Sequence, residues 1–234
     1  MSVSRGADPG ISHAATRRAL MDAAAEVFAE HGFRNATVRE ICQRAGANVA
    51  AVNYHFGDKA SLYAAVLAEL SRLAQDRFPS DAGLDDNATP RQRLTAFIRS
   101  FLQRVLSEDL SARHGRIMAR EMVEPTEALD RMARDYIQPQ ADLLRDILRD
   151  LLPPGTDPAL TRLCGLSIVG QILFYAHCRP VLQRLQPEGA FAVPELDRLA
   201  EHITRFSLAA LDALGRHNAT TPRGRSGTRP ALPR

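Results

Sequence analysis

The sequence predicts an all-α fold in two parts, a small N-terminal three-helix unit and a larger C-terminal helical unit. Three observations carry this. Apolar residues recur at helical spacing over most of the chain, and no stretch alternates as a half-buried strand does. Helix-start signals recur, as the cap-then-proline pairs Thr89-Pro90 and Asp157-Pro158 and as Pro194 at a first helical turn. Residues 79–90, PSDAGLDDNATP, are turn-formers and acids, and they mark a loop between the two parts. No internal repeat is evident.

In order along the chain, residues 1–12 mix Ser, Gly, Asp and Pro and are expected to form a disordered arm. A first helix at about 16–31 has Leu20, Ala24, Val27 and Phe28 on one stripe. Gly32 ends it, and Phe33 is expected to tuck back into the small core. Residues 37–59, TVREICQRAGANVAAVNYHFGDK, then read as two short helices across a tight turn. Thr37 and Glu40 have capping-box spacing. Val38, Ile41, Cys42 and Ala45 share a face, and Gly46 stands where a helix ends left-handed. Asn48 is an N-cap, Val49, Val52 and Phe56 form a narrow apolar stripe, and Gly57-Asp58 opens the next helix. That helix, 59–78, carries Leu62, Val66, Leu70 and Leu73 and connects the head (13–58) to the rest.

A helix of two turns is too short to be stable alone. The face of 48–56 opposite its stripe holds Ala51, Asn53, Tyr54 and His55, which are small or able to hydrogen-bond. Such a helix, held on a second across a glycine turn, suits insertion into a DNA major groove. An ordinary helical corner with polar residues facing water shares the pattern.

Residues 16–72 resemble the DNA-binding domain of the TetR/AcrR transcriptional regulators. The resemblance lies in AAAEVFAEHGFRNATVREICQRAGANVAAVNYHFGDKASLY: the Ala-rich helix ending in Phe28, the Gly32-Phe33 turn, Thr37, Ala45-Gly46, the His55-Phe56 pair, and Lys59 with Leu62. Most members have Ser or Thr at the position of Asn48 and Tyr at that of Asn53, so the departure implies a distinct operator preference. The resemblance implies a helix-turn-helix DNA-binding domain followed by a helical ligand-binding and dimerisation domain.

The 234 residues allow one or two domains, and 45% hydrophobic content supports a packed core. Only 6% is aromatic, with no Trp, so aliphatic side chains must fill most of it. Net charge is +3, but the tail 216–234 holds five Arg and no acid, leaving the rest at about −2. DNA affinity must therefore come from local placement. The tail (215–234 as a segment) is rich in Arg, Pro and Gly and is expected to be disordered, with non-specific attraction for DNA as one role. Cys42, Cys164 and Cys178 are far apart, with no metal-ligand spacing, which fits a reducing cytosol. Redox sensing by Cys164 or Cys178 competes with plain burial. There is no signal-peptide pattern, and the uncharged run 163–176 is shorter than a bilayer requires, so the expectation is a cytoplasmic protein with no membrane partner.

The C-terminal region (79–214) is read as helices at 90–107, 111–123, 126–152 with a bend at Pro139, 158–178 and 194–214. The helix at 158–178 is apolar on nearly every side, and must be buried on every side. Cys164, Gly165, Ser167 and Gly170 are small enough to allow close approach of another helix. With the last helix it forms either the core of a monomer or a four-helix interface between two copies; the family resemblance favours a homodimer, with Leu163, Ser167, Gly170, Phe174, Leu199, Ile203 and Phe206 at the interface. This half is also similar to CecR-like regulators, through Arg120-Glu121-Met122 with Pro125, Gly170-Gln171, Phe174-Tyr175, Arg179-Pro180, and His202-Ile203 with Arg205-Phe206-Ser207.

For a dimer on a palindromic operator, base reading is expected from Arg39 on guanine, Asn53 on adenine and the methyl of Ala51 on thymine. Tyr54, His55, Thr37 and Lys59, the sole lysine, are expected at phosphates. Asn48 and Val49 complete the expected DNA-facing set. Arg5, Arg17 and Arg18 either reach the DNA backbone or are solvated charges. The resemblance further implies a repressor released by a small-molecule effector, a drug or another apolar or aromatic compound, in an antibiotic response; an activator or dual regulator has the same fold. Candidate lining residues are Phe97, Phe101, Met118, Met122, Tyr136, Phe174, Tyr175 and His177, any of which can equally be core. Arg120 and Glu121 could orient a polar group, but are expected as a partly exposed ion pair. No cofactor, metal site or catalytic residue is indicated: there is no phosphate loop, nucleophile elbow or HExxH, which argues against an enzyme.

Overall fold

The computed structural model of the protein describes residues 13–85, 87–106, 110–185 and 193–220. The expected N-terminal arm 1–12 lies outside the described residues, as does the tail beyond 220. The described elements are α1 (His13–Asn35), α2 (Val38–Ala45), α3 (Val49–Phe56), α4 (Lys59–Arg77), α5 (Pro90–Leu106), α6 (Leu110–Val123), α7 (Glu127–Met132), a π-helical turn (Ala133–Ile137), α8 (Gln138–Leu151), α9 (Pro158–His177), α10 (Arg179–Leu185) and α11 (Val193–Thr220). No strand occurs among the described residues.

The head forms because its caps and its apolar stripe agree. Thr37 accepts from the Glu40 N–H at 3.1 Å, Asn48 from Ala51 at 2.9 Å and Asp58 from Ser61 at 2.7 Å, satisfying one open amide at each of three helix starts. Gly46 closes α2 at φ 63°, where a Cβ would be strained. Leu20, Val27 and Phe28 of α1 are fully buried against Ile41, Val52 and Leu62. Truncating Phe28 to alanine would cost about 3–5 kcal/mol. Gly32 interrupts α1 at φ 74°, and the chain continues helically to Asn35, past the expected end at His31.

The head core does not stop at α4. Ile117 of α6 and Met132 of α7 belong to it. A second core gathers Leu94, Phe97, Ile98 and Leu102 of α5 with Leu144, Ile147 and Leu148 of α8, Ile168 and Ile172 of α9, and Ile203 and Leu211 of α11.

Three elements differ from the sequence reading. The helix read as 126–152 contains the π-helical turn, which ends just before Pro139 in the first turn of α8. Proline has no N–H and its ring crowds the preceding turn, and the backbone widens there instead of breaking. A short helix, α10, follows Cys178, and α11 runs to Thr220 instead of stopping at 214. Finally, the uncharged run 163–176 sits in a 20-residue helix that is long and apolar enough by composition to cross a membrane. Here α9 packs on α5, α8, α10 and α11.

Candidate nucleic-acid interface

The site is built on α3. Val52 is fully buried and Phe56 half-buried against α1 and α4, which fixes the roll of the helix. Its outward face then presents Val49, Ala50, Asn53 and Tyr54, with Tyr54 73% exposed. Arg39 on α2 and Thr37 at its cap are exposed beside it. Arg39 has no described ion pair, so its guanidinium is available to bases or phosphates.

The first turn of α1 borders this face. The His13 ring lies 5.6 Å from Tyr54 and 6.1 Å from His55, and the Arg17 guanidinium 5.2 Å from the Phe56 ring. The sequence reading missed Ala50 and His13. The i, i+3, i+4 spacing of Ala50, Asn53 and Tyr54 carries the signal for the first; nothing local marks the second.

Several expected positions are corrected. Ala51, expected to meet a thymine methyl, is half-buried and packs on the head core. Val49, expected both on the apolar stripe and in the DNA-facing set, is 48% exposed, so it leaves the stripe. Lys59, expected at a phosphate, is engaged by the head's own backbone. Its ammonium donates to the carbonyls of Phe33 (2.9 Å) and Ala36 (3.0 Å), with a longer contact to Arg34 (3.4 Å), and lies 4.7 Å from the Phe33 ring centroid. An ammonium has three donors, and here they point inward, tying the α1–α2 turn to the start of α4.

Basic groups elsewhere on the head are partly spent. Arg44 binds Glu30 (2.6 and 3.0 Å) and Glu40 (3.0 Å), which holds the Glu30 carboxyl below its ordinary range. His31 lies beside the same two acids, whose charge Arg44 offsets in part. Arg18 pairs with Asp22.

Head and C-terminal region meet through polar groups, some exposed and some buried. Arg120 and Glu121, expected to pair with each other, part company. Arg120 donates to the Glu30 carbonyl at 2.9 Å and lies over Gly32, where an added Cβ would sit 2.9 Å from its Nη1. Glu121, 1% exposed, accepts from Tyr63 Oη (2.7 Å) and from Thr126 N (3.1 Å) and Oγ1 (3.0 Å). Burial first, then that carboxylate, pushes the Tyr63 hydroxyl well above its ordinary pKa. Ser71 Oγ meets His114 Nε2 at 3.1 Å.

The expected effector residues do not converge. Phe97, Phe101 and Tyr175 belong to the C-terminal core, Met118 and Tyr136 pack on the head core, and Met122, Phe174 and His177 are exposed. None lines either of two surface recesses around Pro153, of about 280 and 540 Å³. Of the expected interface residues, Leu163, Phe174 and Phe206 are 51–61% exposed, and Leu166 joins them at 60%. Ser167 and Gly170 lie on the same accessible side of α9. Ile203 is 1% exposed and Leu199 half-buried, because that side of α11 faces its own core. Cys42 and Cys164 are buried and their thiols pushed up by desolvation, the opposite of what a reactive thiolate needs.

Residues 20–66 match the family described as bacterial regulatory proteins, tetR family, and residues 90–211 match the C-terminal domain of the HTH-type transcriptional dual regulator CecR. CecR of Shigella flexneri is 30% identical over 170 residues, covering 68% of this chain and 74% of that protein. Among solved structures, FadR from Bacillus subtilis in complex with stearoyl-CoA is similar with a TM-score of 0.61 and 18% identity, over 82% of this chain and 97% of that one. AibR in complex with isovaleryl coenzyme A and operator DNA gives a TM-score of 0.60 and 18% identity, over 84% and 97%. At these identities the two structures speak for the fold.

Proposed function

Since the chain belongs to the TetR family of bacterial transcriptional regulators, with a C-terminal domain of the CecR type, we propose that it acts in the cytoplasm as a homodimeric repressor that binds a palindromic operator and is released by a small-molecule effector. The families matched are regulators, not enzymes. The observation that carries the reading is the α3 face, where Asn53 and Tyr54 project outward from a helix anchored by Val52. Arg39 reads guanine and Asn53 adenine; Thr37 and Tyr54 position the head on phosphates, with Asn48 and His55 bordering them.

The dimer reading rests on Leu163, Leu166, Phe174 and Phe206, an apolar patch of the kind that soluble chains cover with a partner. Two copies related by a two-fold axis present their α3 helices to successive turns of the duplex. Effector binding in the C-terminal domain is supported by FadR and AibR, solved with acyl-coenzyme A ligands. Dual regulation is the second reading, favoured by the likeness to CecR, a dual regulator.

Selection of genomic fragments retained by the purified protein, followed by sedimentation, tests this. The expected result is a palindromic or near-palindromic site bound by a dimer, with Arg39→Ala losing about 1–3 kcal/mol of preference at one position per half-site. A monomer in solution, or Arg39→Ala with unchanged base preference, would contradict it.

A further inference from the structure

The first turn of α3 presents only apolar side chains to the outside. Asn48, at its cap, gives its side-chain oxygen to the Ala51 N–H at 2.9 Å. Ala51 packs on the head core with Val52 and Phe56, and neither Val49 nor Ala50 belongs to that core. Val49 is 48% exposed, and Ala50 is exposed beside it. Hydrogen-bonding side chains on the outward face begin one turn later, at Asn53 and Tyr54. Residues three and four apart on a helix lie one above the other. Val49 and Ala50 therefore continue the row of Asn53 and Tyr54 toward the helix start.

That start is the part of a recognition helix that meets base edges. Every base pair shows donors or acceptors in the major groove, and thymine adds a methyl group. A valine set against any other edge covers polar atoms that then lack partners. The same valine on a thymine methyl removes two apolar groups from water. It discriminates in both directions, by gain on thymine and by cost elsewhere. The contact expected of Ala51 thus passes to the two residues before it.

We propose that Val49, with Ala50, reads the C5-methyl of a thymine in each operator half-site, close to the adenine bound by Asn53. One helical turn advances about 5.4 Å against about 3.4 Å per base pair, which sets the thymine about one or two base pairs from that adenine. This deepens the operator reading above and rests on it.

The test uses the full-length protein and duplexes copied from a genomic fragment that it retains, with each thymine replaced in turn by deoxyuridine. The exchange removes the methyl group and leaves every hydrogen-bonding atom of the base in place. Fluorescence anisotropy should show affinity falling about fourfold per half-site at one thymine, as for one buried carbon. Asn53→Ala, which relaxes the preference at its adenine, locates the reference position. In the double variant Val49→Ser, Ala50→Ser the thymine and uracil duplexes should bind equally, and the milder Val49→Ala should shrink their difference. Uracil that costs nothing at any thymine, or a cost unchanged in either variant, overturns the proposal. So does a sensitive thymine far from the Asn53 position. In each of these cases the retained fragment leaves the regulator reading standing, whereas retention of no fragment sinks that reading and this one with it.

Discussion

Replacing Lys59 by methionine separates two roles for the chain's single lysine. The stem keeps its packing and only the ammonium is lost. That ammonium makes two well-formed bonds, at 2.9 and 3.0 Å, to carbonyls of the α1–α2 turn, and faces the Phe33 ring. Hydrogen bonds to charged groups contribute about 1.5–3 kcal/mol, and half-burial pulls each toward the lower end. A cation–π contact adds about 0.5–1 kcal/mol. The expected loss is about 2–4 kcal/mol, since the freed carbonyls can recover some water. For a chain of this size that lowers the melting temperature by about 5–15 °C. Circular dichroism melts measure the loss, and DNA binding at several salt concentrations measures the alternative. A phosphate contact would leave the melt unchanged and reduce the salt slope by about 1; that outcome refutes the clamp.

Other expected outcomes are briefer. Burial, with the Arg104 charge adding to it, lowers the His114 pKa to about 4, against about 6.5 in the unfolded chain. The unfolded chain takes up the proton first, so this stability is complete above about pH 6.5 and declines toward pH 4, by up to about 1.4 kcal/mol per unit. Urea midpoints at pH 7 and pH 5 should therefore converge in His114→Asn relative to wild type; an equal acid loss in both proteins contradicts it. Tyr63→Phe strips one donor from the buried Glu121 carboxylate and should cost about 1–3 kcal/mol in urea unfolding. Gly32→Ala should cost at least as much by the same measurement, from its φ of 74° and the overlap with Arg120.

Much of the head was legible because its signals are local. Thr37, Asn48 and Asp58 each bond an amide within three residues, and Gly46 takes the left-handed turn its place after Ala45 implies. What escaped depends on direction across space. The sequence shows that Lys59 opens α4 but not that its stem folds back 26 residues to Phe33. The roll of α3 decides between Ala50 and Ala51, and both are alanines, so composition could not. Ile203 and Phe206 are one helical turn apart on α11, yet one is buried and the other exposed. Both are large and apolar, and an interface and a core recruit the same residue types. Glu121 and Arg120 are sequence neighbours, which point to different sides of a helix and therefore do not pair.

The polar ties along α4 explain how a change deep in the C-terminal region can reach the head. Tyr63, Ser71 and Phe78 bond Glu121, His114, and Ser100 with Arg104, so α5 and α6 hold α4 at three levels. At 1.5 Å per residue these levels are about 10–12 Å apart. Apolar contacts alone tolerate a small slide, because dispersion is non-directional. A buried hydrogen bond does not: displaced by about 1 Å it leaves donors and acceptors unpaired, at a cost of about 1–3 kcal/mol each. A shift of α6 must therefore carry α4 with it or break several such bonds together. Because Lys59 clamps the first turn of α4 to the α1–α2 turn, and α3 packs on α1 and α4, carrying α4 means carrying the outward face of α3.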